Sequence, residues 1–289
     1  MLRIPFLAEL NPLVLNTVGQ LVIFTLTLIL GLFMFKEAPK TAFNTNSVAL
    51  GDILIGALLA FLITPIANLL SLISAAIFPN NVSEVLTIAY DSPLILSIVA
   101  ICIIPAVFEE LIFRGLIFGG FKNLELRSAC ILGGLIFAIA HFDPQQVLYT
   151  FFVGVLFSYI VYRTKSVLPT MITHFCLNFS QVILSRMSLE ETAGTAIDIP
   201  ISEALGQLLP SYFMLSLVAM PILIYFVSLM GNKTGRGKPL FSLRPKKYEF
   251  KIETEEVFDY APQEGLGEKP LSIFLIAVIA SYFLVVFIL

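Results

Sequence analysis

Charge is what this sequence has least of. Only 13% of its 289 residues are Asp, Glu, Lys or Arg, against roughly 25% in an ordinary soluble protein. Set beside an apolar share of 58%, that scarcity excludes a pair of soluble domains of this length. Cysteine is scarce too. Cys102, Cys130 and Cys176 each lie in an apolar stretch without CxxC spacing, so they read as small buried hydrophobes and not as a disulfide framework or thiol centre. The net charge of −3 names no partner through bulk electrostatics, and nucleic acid is not an expected one. Low-complexity segments and an HExxH zinc motif are absent as well.

What is present is a series of long uncharged runs. About 20 apolar residues suffice to cross a bilayer, and runs of that kind recur at 11–35, 53–78, 93–121, 128–141, 145–162, 167–185, 208–230 and 271–289. The expected fold is therefore all-α, a polytopic transmembrane bundle of about eight helices. The fourth run is short, and only Phe142-Asp143-Pro144 separates it from the fifth. It is expected either to cross or to stop inside the protein where other helices cover its end. The first run lacks a basic leader and an A-x-A site, which fits an uncleaved span better than a signal peptide.

Cations fix an expected orientation. If the connection after the first span is cytoplasmic, alternation puts Lys36, Lys40, Lys122, Arg127, Arg163, Lys165 and the eight cations between 233 and 269 on that side. Those are 14 of the 17 Lys and Arg residues, the asymmetry of the positive-inside rule. Both termini would then face outward, and the polar segment 231–270 would be a cytoplasmic linker hugging anionic lipid. The chain divides into an N-terminal pair of spans with an outer loop at 1–91, a polar-bearing core at 92–186, and a C-terminal pair at 187–289.

Against this background two adjacent acids, Glu109 and Glu110, stand in a span that can ill tolerate them. An intramembrane carboxylate costs several kcal/mol unless it is paired, hydrated or neutral, so such a pair is a functional candidate by default. Arg114 follows Glu110 at the helical i,i+4 spacing. Glu109 points about 100° away from that pair, which leaves it free for other work.

Both histidines of the chain also fall within spans: His141 closes the fourth, and His174 shares a helix face in the sixth with Asn178. By helical rise, Glu109, His141, His174 and Asn178 lie about 18, 20, 10 and 16 Å from the cytoplasmic ends of their spans. Buried apart, each would be unsatisfied, so one shared polar cavity is the economical arrangement. A carboxylate beside a histidine can deprotonate water. A second histidine with an amide on the same face can stabilise the oxyanion formed when water attacks a carbonyl. The competing chemistry is zinc, which Glu109, His141 and His174 would hold. A cysteine nucleophile is disfavoured because Cys176 points to a different face from His174. A proton-relay transporter would show inverted repeats, and no clear internal symmetry is seen.

Glu109-Glu110-Leu-Ile-Phe-Arg114, Phe137-Ala-Ile-Ala-His141 and His174-Phe-Cys-Leu-Asn178 resemble the three motifs of the CPBP family. These are the CAAX proteases and bacteriocin-processing enzymes, also called the ABI family and related to the type II CAAX prenyl endopeptidases. The resemblance spans residues 92–186. It implies an intramembrane glutamate-dependent endopeptidase with an eight-helix core, acting on a membrane-associated or lipidated peptide or protein. Older descriptions of the family call it a metalloprotease; here no cofactor is expected, with zinc as the alternative. By the same resemblance Glu109 and His141 would activate water, His174 and Asn178 would form the oxyanion site, and Glu110 and Arg114 would support the cavity or orient substrate. Other members are linked to immunity, so a non-catalytic scaffold or bacteriocin-immunity role is the runner-up.

Overall fold

A computed structural model describes residues 11–35, 42–78, 82–121, 124–191 and 201–231. Among them the architecture is eight helices: α1 (Pro12–Phe35), α2 (Leu50–Ala75), α3 (Val82–Tyr90), α4 (Leu94–Ile117), α5 (Leu126–Ile139), α6 (Val147–Thr164), α7 (Leu168–Glu191) and α8 (Ile201–Leu229). The only strand-like pairing among the described residues is an isolated bridge between Thr45 and Ser166. Helices dominate because hydrocarbon offers no partners for backbone N–H and C=O, so each spanning segment must satisfy its own. Among the described residues five helices are long and apolar enough to cross a membrane: α1, α2, α4, α6 with its preceding turn, and α8. The chain is an integral membrane protein.

Seven of the expected spans coincide with α1, α2 and α4 to α8. The eighth, 271–289, and the polar segment beyond residue 231 lie outside the described residues, as do the cations at positions 3, 36, 40 and 122. Helix α3 occupies what reads in the sequence as part of an outer loop; it is only 9 residues long, too short to register as a span.

Helix α4 is irregular where the polar residues sit. Its backbone widens into π turns at Ile98–Ile103 and again at Glu110–Ile117, with a regular stretch Ile104–Glu109 between them. Pro105 is the local cause at the first widening: it has no N–H for the carbonyl of Ile101, and its ring crowds that oxygen. The second widening begins at Glu110 itself. Such π turns recur at functional positions in helices.

Helices α5 and α6 form an antiparallel hairpin held by glycine. A Cβ on Gly154 would come within 2.6 Å of the Gly134 Cα, and one on Gly134 would meet the Phe151 carbonyl at 2.9 Å. Small residues at such crossings let backbones approach closely inside membranes. At 14 residues, α5 is about 21 Å long, short of the roughly 30 Å hydrocarbon core. Helix α6 returns antiparallel to α5, so Arg127 near the start of α5 and Lys165 after the end of α6 lie at the same end of the hairpin. The reversal uses Phe142 at φ 51°, and Asp143 caps the turn Pro144–Gln146 by accepting from the Gln145 N–H.

The base of the bundle is closed by two backbone-directed clasps. Arg163 on α6 donates to the carbonyls of Ser228 and Met230 at the end of α8. Asn44 lies under α4, where its carbonyl accepts from Val167 N at 3.0 Å and its side chain donates to the Arg114 carbonyl.

Candidate active site

The site is built around one carboxylate. Glu110 on α4 is 0% exposed, and its Oε1 accepts from Arg114 Nη1 at 2.9 Å and meets His174 Nδ1 of α7 at 3.1 Å. A charge this deep persists only when paired, and here two partners from two helices share one oxygen. Arg114 is equally deep, at 1% exposure. Its guanidinium carbon lies 4.0 Å from the ring centre of Phe137 on α5 and 5.2 Å from that of Phe157 on α6. The negative faces of the two rings supply electrostatic contacts that hydrocarbon alone would not.

Phe137 also joins the histidines to this charge pair. Its ring centre is 4.7 Å from that of His141 and 6.3 Å from that of His174, both nearly perpendicular. His141 Nδ1 lies 2.8 Å from the Phe137 carbonyl. A carbonyl only accepts, so Nδ1 carries the hydrogen and Nε2 is left with its lone pair. His174 is constrained the same way, since the carboxylate of Glu110 also only accepts.

Glu109 is the neighbour left over. It is the last residue before α4 widens, and its Oε2 is buried without a hydrogen-bond partner among the described residues. Glu110 Oε2 and Arg114 Nε and Nη2 are likewise buried and unpartnered. Buried polar atoms in native proteins normally have partners, so these atoms mark where water or a substrate group belongs. Asn178 is placed differently. Its Nδ2 donates at 2.8 Å to the carbonyl of Ile101, the oxygen that Pro105 leaves without its helical N–H. One N–H and the carboxamide oxygen of Asn178 remain for other partners.

Of the six residues singled out from sequence, direct side-chain contacts join Glu110, Arg114 and His174. His141 reaches them through Phe137, and Asn178 through the α4 backbone. The i,i+4 spacing reveals the Glu110–Arg114 pair, but not the sharing of Glu110 with His174, which depends on how α4 and α7 pack. Sequence reasoning also misses the polar turn after His141. Gln145, 1% exposed, donates to Ser71 Oγ of α2 at 2.7 Å. Gln146 donates to Asp143 Oδ2 at 3.0 Å, and the Tyr149 hydroxyl donates to Gln146 Oε1. Its one sequence signal is the pair of glutamines beside Asp143 in an otherwise apolar region.

The zinc alternative needs three ligands aimed at one point. Among the described residues, no group of three His, Cys, Asp or Glu side chains is gathered at ligating separation, so Glu109, His141 and His174 do not fit that requirement.

Residues 91–180 match a family model described as type II CAAX prenyl endopeptidase Rce1-like. Over 106 residues the chain is 28% identical to a protein of Bacillus subtilis (strain 168) that bears the name "Putative membrane peptidase YdiL". The match takes in 36% of this chain and 43% of that relative, so the chain spans under half the relative's length. No solved structure matches.

Proposed function

We propose that this chain, whose residues 91–180 match the Rce1-like family model, is an intramembrane endopeptidase of the CPBP type. Its substrate is a membrane-associated or lipidated peptide or protein. The observation that carries this reading is the unequal fate of the two acids. Arg114 and His174 both hold Glu110 through its Oε1, while Glu109 takes part in no such pair among the described residues and its Oε2, like Glu110 Oε2, is buried without a protein partner.

In the proposed reaction Glu109 Oε2 and His141 Nε2 hold a water molecule and draw on its hydrogens, raising its nucleophilicity toward a peptide carbonyl. The remaining N–H of Asn178, together with His174, faces the oxygen that becomes negative. Phe137, Phe157 and Arg114 wall the site from lipid, which strengthens each of these interactions by excluding competing water. No covalent intermediate and no resident metal take part. Residues 92–186 form the catalytic core. The connections bearing Arg127 and Lys165 face the cytoplasm, both termini face outward, and 231–270 is a cytoplasmic segment.

The purified protein in proteoliposomes, given a panel of membrane-anchored peptides with and without a lipid group, tests this by mass spectrometry of the products. The wild type is expected to cut at a defined bond, and His141→Ala to slow that cut by about 100-fold or more. A chelator is expected to leave the rate unchanged. Stoichiometric bound zinc, with activity lost to the chelator and restored by zinc, would overturn the metal-free mechanism. Equal cutting by His141→Ala and wild type would return the chain to the scaffold or immunity reading.

A further inference from the structure

His174 Nδ1 lies 3.1 Å from the same Glu110 oxygen that binds Arg114, and this has a chemical consequence for the oxyanion site. A neutral imidazole has one N–H. In His174 that N–H is spent on Glu110, so Nε2 is a lone pair and cannot donate to an oxyanion. The ring can stabilise the developing charge only after Nε2 gains a proton. A doubly protonated ring that is 7% exposed then needs a counter-charge in contact, and Glu110 is the carboxylate that touches it.

We propose that Glu110 is a positioning residue for His174, fixing Nε2 as its working atom and serving as counter-ion to the imidazolium that faces the oxyanion. The inference rests on the hydrolytic reading above and adds to it the route of the proton. Water held by Glu109 and His141 forms its O–C bond to the peptide carbonyl, and the carbonyl π electrons move onto oxygen. Glu109 takes the proton released by the water and hands it on to His174 Nε2. That new N–H faces the oxyanion, then goes to the amide nitrogen as the C–N bond breaks and the carbonyl re-forms. The products are a carboxylic acid and an amine, and His174 is neutral again. A carboxylate behind a histidine holds the ring and stabilises its charged form in this way in hydrolases of unrelated fold. His141 lacks such backing, since its Nδ1 rests on the neutral carbonyl of Phe137. The two histidines are therefore unequal: His141 orients the water, and His174 carries the proton.

The chain has only 2 histidines, so ¹⁵N-histidine labelling yields two ring spin systems, and His141→Ala assigns them. In the wild type the His174 ring is expected to show Nδ1 protonated, with Nε2 the bare or exchanging nitrogen. In Glu110→Gln, kcat is expected to fall about 100-fold to 1,000-fold, as when an oxyanion donor is lost, with KM within about threefold. A bare Nδ1 with a protonated Nε2 in the wild type overturns the inference, and this measurement stands even if Glu110→Gln does not fold. Unchanged kcat in a folded Glu110→Gln overturns it as well. If Glu109→Gln is inert while Glu110→Gln is fully active, only the role of Glu110 fails. If Glu109→Gln is itself fully active, the hydrolytic reading fails.

Discussion

Phe137 is the residue on which the buried charges depend most. Its ring lies against the guanidinium of Arg114, its carbonyl orients His141, and its edge contacts bring in His174. Phe137→Ala would remove a fully buried ring and leave Arg114 with Phe157 alone. It is expected to cost about 3–5 kcal/mol of stability, read as a lowered midpoint of thermal unfolding in detergent. Phe137→Leu keeps most of the volume and loses the ring face, so it is expected to cost nearer the 0.5–2 kcal/mol of a cation–π contact. Equal midpoints for the two variants would show that the charge over the ring, and not packing, is what the residue supplies. The division between Glu109 and Glu110 is legible in the sequence because i,i+4 spacing is a local rule. The work of Phe137 is not. A phenylalanine in an apolar helix looks like any other until α6 brings Phe157 to the far side of Arg114.

At the level of the element, α4 and α7 depend on each other through Pro105 and Asn178. The proline strips the Ile101 carbonyl of its helical donor, and the asparagine supplies one from the neighbouring helix. Asn178→Ala is expected to cost about 1–3 kcal/mol for the acceptor left unsatisfied. Pro105→Ala restores an N–H to that carbonyl, so in its background the cost of Asn178→Ala should shrink by about 1 kcal/mol, the coupling a double-mutant cycle measures. On the proposed mechanism peptide hydrolysis should stay impaired in the double variant, because Asn178 is there the oxyanion donor. Recovery of activity along with stability would mean that Asn178 acts only on the helix. Positions and lengths of the long helices are legible because each needs a continuous apolar run. The π turns of α4 are not, since a regular 3.6-residue period is all that pattern reading assumes.

For the whole molecule, the central feature is a polar layer enclosed by helices that are mostly apolar toward lipid. Depth counting along single helices leads to the expectation of such a layer, because rise per residue is fixed. Which helices adjoin within it is set by close backbone approaches, such as Gly134 with Gly154 and Gly56 with Pro169, and these appear in the sequence only as scattered glycines. The α5–α6 hairpin makes the orientation independent of how deeply α5 reaches. With the native cysteines replaced by alanine, Arg127→Cys and Lys165→Cys should therefore react with an impermeant thiol reagent from the same, cytoplasmic side, and Asp91→Cys from the opposite side. Labelling of Arg127→Cys and Lys165→Cys from different sides would break the hairpin topology. The claim on which the rest depends is that Glu109, the carboxylate that Arg114 and His174 leave unpaired, activates water for peptide hydrolysis. Its most direct test is the rate at which folded Glu109→Gln, matched to wild type in thermal midpoint, cuts a membrane-anchored peptide that the wild type cuts. The account predicts a loss of about 100-fold to 10,000-fold, whereas a rate equal to that of the wild type would contradict it.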